Sequence, residues 1–162
     1  WWFVNHEPAR PYGNFFIDLA GIEHRILFWQ TWALGIKGLH YASINASAPG
    51  VDPYRSQLDV TPVNGNGFLV YPGKNGPVNS IRWEIIRDGI EDVDYLVLFQ
   101  DLMRKLAKTK PDAPELTQAT RVAAGIEALV PDLVSYPRDP KTLESKRHEL
   151  AQSIVEMQKA VR

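Results

Sequence analysis

The residues predict an α/β fold followed by a helical extension, and three observations carry that expectation. Short apolar runs at residues 1–5, 38–45 and 68–71 have the length and the aromatic or β-branched content of strands. A helical period separates the first two runs, and three more helical stretches follow the third. Strand, helix, strand, loop, strand, helix is an α/β order, and the continuously apolar strands predict a parallel sheet buried on both faces.

Each element has a local reason. Trp1-Trp2-Phe3-Val4 is strand-like, with no initiator Met and no signal-peptide pattern, and reads as a chain cut inside a structured region. Pro8-Ala9-Arg10-Pro11-Tyr12-Gly13-Asn14 is a loop of turn formers. From about Gly21 to Leu34 the apolar residues Ile22, Ile26, Phe28, Trp29, Ala33 and Leu34 recur at spacings of three and four, and Gly35 stands where a C-terminal cap belongs. GLHYASIN, residues 38–45, is the second strand. Residues 46–67 are rich in Pro, Gly, Asn and Asp with no sustained period, a long excursion of the kind that is usually functional. The third strand, Phe68-Leu69-Val70-Tyr71, is closed by Pro72-Gly73. Ser80 is the expected N-cap of a helix running to about Ala107. Residues 109–114 form a Pro-bearing break before helices at about 115–129 and 140–159.

Composition excludes several function classes. The 162 residues hold 44% apolar and 23% charged residues with a formal net charge of -1, which suits one ordinary globular domain. A nucleic-acid binder would carry a clustered basic excess, and a spanning helix needs about 20 apolar residues, so neither nucleic acid nor membrane is an expected partner. The absence of cysteine removes disulfides and thiolate metal sites and fits any compartment. His6, His24, His40 and His148 show no paired ligand spacing, so neither a metal nor a cofactor is expected.

Several motifs in order carry a resemblance. NGNGFLVYPG, GPVNSIR and RDGIEDVDYL, with NFFIDLAGIEHRILFWQTWALGIKGLHY upstream, resemble the C-terminal part of the catalytic domain of glycoside hydrolase family 123 and its relatives, over roughly residues 1–107. The resemblance implies that residues 1–107 are the last strand-helix units of a (β/α)8 barrel, and residues 108–162 then form a helical extension. It also implies retaining, substrate-assisted removal of N-acetylgalactosamine, in which the sugar's own acetamido oxygen attacks the anomeric carbon while one carboxylate orients it and another acts as general acid and base. The family's adjacent Asp-Glu pair belongs upstream of the WWFV segment, so no catalytic residue is expected within these residues. The implied partners are a glycan substrate and either the missing N-terminal barrel segments or further copies of the chain. The implied location is secreted or periplasmic. A non-catalytic carbohydrate-binding or structural relative is the alternative.

Barrel enzymes place chemistry at the C-terminal ends of strands and on the loops that follow. That logic selects Asn5, His6, Tyr41, Asn45, Tyr54 and Tyr71 as substrate-binding candidates. Two departures stand out: Tyr41-Ala42-Ser43 where the family commonly has Tyr-Trp and a small residue, and Asp52-Pro53-Tyr54 where relatives often have Asp-Pro-Trp. Arg82 falls near the middle of an apolar arc of Ile81, Ile85, Ile86, Gly89, Ile90, Val93, Leu96 and Val97. Its i+3 and i+4 neighbours are Ile85 and Ile86, so its partner must lie outside the helix, either as a structural tie or at the barrel mouth. Glu91 and Asp92 diverge by about 100° and are no acid-base pair; Glu91 is expected to meet Arg87, and Asp92 a group elsewhere in the scaffold. Trp29 and Trp32, one turn apart, are expected to pack in the scaffold.

Overall fold

A computed structural model describes residues 1–46, 49–55 and 63–162. The elements in chain order are β1 (Trp2–Val4), α1 (Gly21–Ala33), β2 (Leu39–Tyr41), β3 (Val70–Gly73), β4 (Gly76–Asn79), α2 (Ile81–Thr109), α3 (Pro114–Leu129) and α4 (Pro140–Val161). The expected α/β alternation is therefore present, with both terminal helices.

β1 and β2 pair in parallel, with Trp2 opposite Leu39, Phe3 opposite His40 and Val4 opposite Tyr41, and α1 is the crossover between them. Alternation then sorts the side chains. Val4 is buried and Trp2, Leu39 and Tyr41 pack towards Phe15, Leu27 and Phe28. Phe3, 67% exposed, and His40 fall on the opposite face of the pair.

The third strand departs from the expectation. β3 turns back on β4 as an antiparallel hairpin, with Pro72 opposite Pro77 and Gly73 opposite Gly76. Pro72-Gly73 does not close the strand; the reversal comes at Lys74-Asn75, and Gly76, at φ 132°, takes a backbone conformation open to glycine. The second strand is also shorter than expected. It ends at Tyr41, and Asn45 pairs only as an isolated antiparallel bridge with Phe68. The Leu69 and Val70 amides both donate to the Ile44 carbonyl, at 2.8 and 2.9 Å, so the chain after β2 has already reversed direction.

α2 runs 29 residues from its cap, where the Ser80 side chain accepts from the Trp83 amide at 3.1 Å. Its buried positions are Arg82, Gly89, Asp92, Leu96, Phe99 and Leu106, a narrow seam that repeats every seven residues rather than a broad arc. The arc predicted from periodicity is thus too wide: Ile81 is 80% exposed, and Ile90 and Val97 are exposed as well. Gly89 explains why the seam is narrow, because α1 and α2 approach so closely there that a Cβ on Gly89 would lie 2.2 Å from the Phe28 ring.

One apolar cluster runs through all four helices, through Ile26 and Trp29 of α1, Leu96, Phe99 and Leu106 of α2, Ile126 of α3 and Leu150 and Met157 of α4. Each such buried side chain contributes about 1.5–3 kcal/mol of transfer free energy, so the terminal helices are packed on the strand-helix unit rather than tethered to it. Among the described residues, no helix is long and apolar enough to cross a membrane.

Candidate functional site

The loop after β1 is organised by Asn14, which is fully buried. Its amide donates to the carbonyls of Asn5 and Pro8 at 3.1 and 3.0 Å, its side-chain oxygen accepts from the Phe15 amide, and its own carbonyl meets Nδ1 of His24 at 2.6 Å. Burial, opposed by the Asn14 bond, holds His24 below its ordinary pKa, and the nearby Arg82 charge acts in the same direction as burial. Asn14 thus fixes the backbone from which Asn5 and the exposed His6 emerge. Sequence reasoning passed over Asn14; the one available signal was a lone amide residue set directly before Phe15-Phe16 in an otherwise polar loop.

Arg82 is 6% exposed and finds its partners outside α2. One terminal nitrogen donates to the carbonyls of Phe15 and Gly65, at 2.5 and 2.8 Å; the other donates to the Phe68 carbonyl and, at 3.3 Å, to the Tyr71 hydroxyl. The guanidinium therefore holds the segment before α1, the end of the excursion and β3 to the first turn of α2. Gly65 sits at φ 79° with its missing Cβ position 2.6 Å from Arg82, so a side chain there would displace the guanidinium.

Tyr41 is half-buried against Phe15, with ring centroids 5.2 Å apart in an edge-on arrangement. Its hydroxyl accepts from the Gly67 amide at 2.6 Å and donates to Asn66 at 3.2 Å, and burial pushes its pKa up. Both polar functions of that hydroxyl are spent on the excursion's end.

Asn45 and Tyr71 share a cleft of about 250 Å³ with Pro53, Phe68, Pro72 and Pro77. Tyr54 stacks on Tyr71 at 5.3 Å and donates from its hydroxyl to the Pro72 carbonyl at 2.7 Å, leaving the ring 59% exposed. The structure thus brings Asn45, Tyr54 and Tyr71 together, an amide beside an aromatic pair on apolar walls. Asn5 and His6 follow the end of β1 and do not line this cleft. Residues 47–48 and 56–62 of the excursion lie outside the described residues.

A second buried charge lies deeper. Asp92, fully buried, accepts from Arg25 at 2.6 and 2.9 Å, from Arg147 at 2.7 Å and from the Trp29 indole at 2.8 Å. It joins α1, α2 and α4, while Glu91 meets Arg87 on the surface at 3.6 Å. Glu23 plays the corresponding part at the start of α1, where it accepts from the Ala20 amide and pairs with Arg10 and Arg138. These acids are scaffold. Among the described residues no group of three or more His, Asp or Glu could hold a metal ion.

Residues 1–99 match the family described as glycoside hydrolase 123, catalytic domain. The chain belongs to glycoside hydrolase family 123. The matched stretch runs from β1 to Phe99 within α2, so it includes the parallel pair, the hairpin, the Tyr54–Tyr71 cleft and the Arg82 ties. It makes the family 123 chain a glycoside hydrolase domain in class. A search of curated proteins found no match.

Proposed function

We propose that these residues are the closing strand-helix units of a (β/α)8 catalytic barrel, β1-α1-β2 followed by α2, in a glycoside hydrolase acting on N-acetylhexosamine-containing glycans. In this reading the activity is β-N-acetylgalactosaminidase-like, retaining and assisted by the substrate's acetamido group, and the carboxylate pair comes from barrel segments upstream of Trp1. The single observation that carries it is the match of residues 1–99 to a catalytic domain. The parallel β1–β2 pair with its helical crossover supports it, because a barrel is assembled from that unit. So does the uncovered face bearing Phe3 and His40, on the side where a barrel interior would lie.

Asn45, Tyr54 and Tyr71 are the substrate-facing group in this proposal: an aromatic plane complements the C–H face of a pyranose, and an amide both donates to and accepts from sugar hydroxyls. Residues 108–162 are a helical cap on the barrel's outside. The test is turnover of an aryl N-acetyl-β-galactosaminide by the protein in its complete reading frame, with the anomer of the first product read by NMR. Turnover with retention is expected. Glycan binding without turnover on any aryl N-acetylhexosaminide would establish instead a non-catalytic carbohydrate-binding relative.

A further inference from the structure

A second cavity, of about 340 Å³, opens at the N-terminal ends of α1 and α2, with His24, Tyr71, Ser80 and Arg82 among its polar lining and Ile17 and Ile85 among its apolar lining. Two features make it electropositive, and a third turns an open ring nitrogen into it. Arg82 is 94% buried by the complement of its 6% exposure, and its partners are three carbonyls and a hydroxyl; no carboxylate among the described residues pairs with it. A buried guanidinium solvated by dipoles alone keeps its net charge, and that arrangement is costly without an anion nearby. The second feature is the start of the 29-residue α2. Ser80 satisfies the amides of Trp83 and Glu84, and those of Ile81 and Arg82 have no partner among the described residues.

The third feature is His24, 2% exposed, which lines the cavity. Its Nδ1 faces the Asn14 carbonyl and so carries the proton, which leaves Nε2 with no partner among the described residues. The charged groups around the ring are Arg82 of α2 and Glu23, and Glu23 is already paired with Arg10 and Arg138.

We propose that this cavity is a carboxylate-binding site, with Arg82 supplying the uncompensated charge, the Ile81 and Arg82 amides the open donors, and His24 a further donor once its Nε2 takes up a proton. The guanidinium and amides favour a negative group. Neutral Nε2 is an acceptor and would repel a carboxylate's lone pairs, so binding draws one proton from solvent onto that nitrogen and no other bond changes. The carboxylate can belong to a uronic acid residue of a glycan or to a free small acid. The site shares only Tyr71 with the cleft lined by Asn45 and does not depend on the glycosidase reading.

Calorimetric titration of the whole protein decides it, with sodium glucuronate, sodium acetate and glucose as probes at one ionic strength set by sodium chloride. Measurement in two buffers of different ionisation enthalpy counts the protons taken up. Both carboxylates are expected to bind with uptake of a proton, to bind more tightly as pH falls by up to about tenfold per pH unit above the His24 titration, and glucose is expected not to bind there. Glucuronate well ahead of acetate assigns the site to an acidic sugar, and parity assigns it to a small free acid. His24→Gln should abolish the proton uptake while far-ultraviolet circular dichroism stays unchanged. Failure of both carboxylates to bind, or binding without proton uptake, overturns the proposal, and the parent protein alone suffices for either result.

Discussion

Arg82 and Asp92 occupy one buried seam of α2 and are satisfied in opposite ways, the cation by carbonyl dipoles and the anion by two arginines and an indole. Asp92→Ala leaves Arg25 and Arg147 facing each other without their shared anion, and the expected loss is on the order of 3–5 kcal/mol, read from denaturant unfolding. Glu91→Ala, which removes only an exposed pair, should cost less than about 0.5 kcal/mol in the same measurement. Arg82→Met strands three carbonyls, each worth about 1–3 kcal/mol when left unsatisfied, so the unfolding free energy should fall by more than about 2 kcal/mol in the same measurement. Arg82→Lys should recover little of it, because one ammonium cannot span carbonyls on both sides of a guanidinium fork. His24 adds a pH dependence. Its folded pKa lies below 6.5, so below that value the unfolded chain binds the proton and the native chain does not. Stability is therefore full above about pH 6.5 and falls as pH drops towards the folded pKa; His24→Gln should flatten that limb of the unfolding profile. At this scale the sequence was informative, since an arginine and an aspartate with no helical partner at i+3 or i+4 must be answered from elsewhere. The identity of the answering groups was not legible, because the Phe15, Gly65 and Phe68 carbonyls carry no side-chain signature.

Among the elements, α1 and α2 were legible from their periods and from Ser80, whereas β3 was misassigned because Pro72-Gly73 looks the same whether it ends a strand or continues into a hairpin. The width of α2's buried face was also overestimated. Ile81, Ile90 and Val97 are as apolar as Leu96, and only the closeness of α1 shows that they fall outside the seam. Gly89 is where that closeness can be tested. On an open helix, Gly→Ala gains about 1 kcal/mol from backbone entropy. Here the added methyl meets Phe28 at 2.2 Å, so Gly89→Ala should destabilise instead, and Phe28→Leu in the same chain should reduce the penalty. A raised unfolding midpoint for Gly89→Ala would show that the helices do not approach as closely as described.

For the molecule as a whole, the run of short apolar strands and terminal helices predicted the class of fold, and the family motifs predicted the family 123 match. What the residues could not specify is where apolar surface stays uncovered. Trp1 is 86% exposed and Phe3 67%, on a parallel pair of strands that has no third strand beside it among the described residues. Unpaired strand edges and apolar faces are templates for association. In the barrel reading, neighbouring strands and the side chains of the barrel interior cover them; in the isolated 162-residue chain, only other molecules can. Sedimentation of that chain should therefore show concentration-dependent association, and assays with aryl N-acetylhexosaminides should show no turnover. Phe3→Lys tests whether the exposed face is responsible, since a charge there should weaken association by opposing burial of that face and, on a residue already exposed, should cost the fold about 0.5 kcal/mol or less. A monodisperse monomer that hydrolyses the substrate would refute both halves of the argument, because it would mean that the edges need no cover and that the catalytic groups are already within these residues.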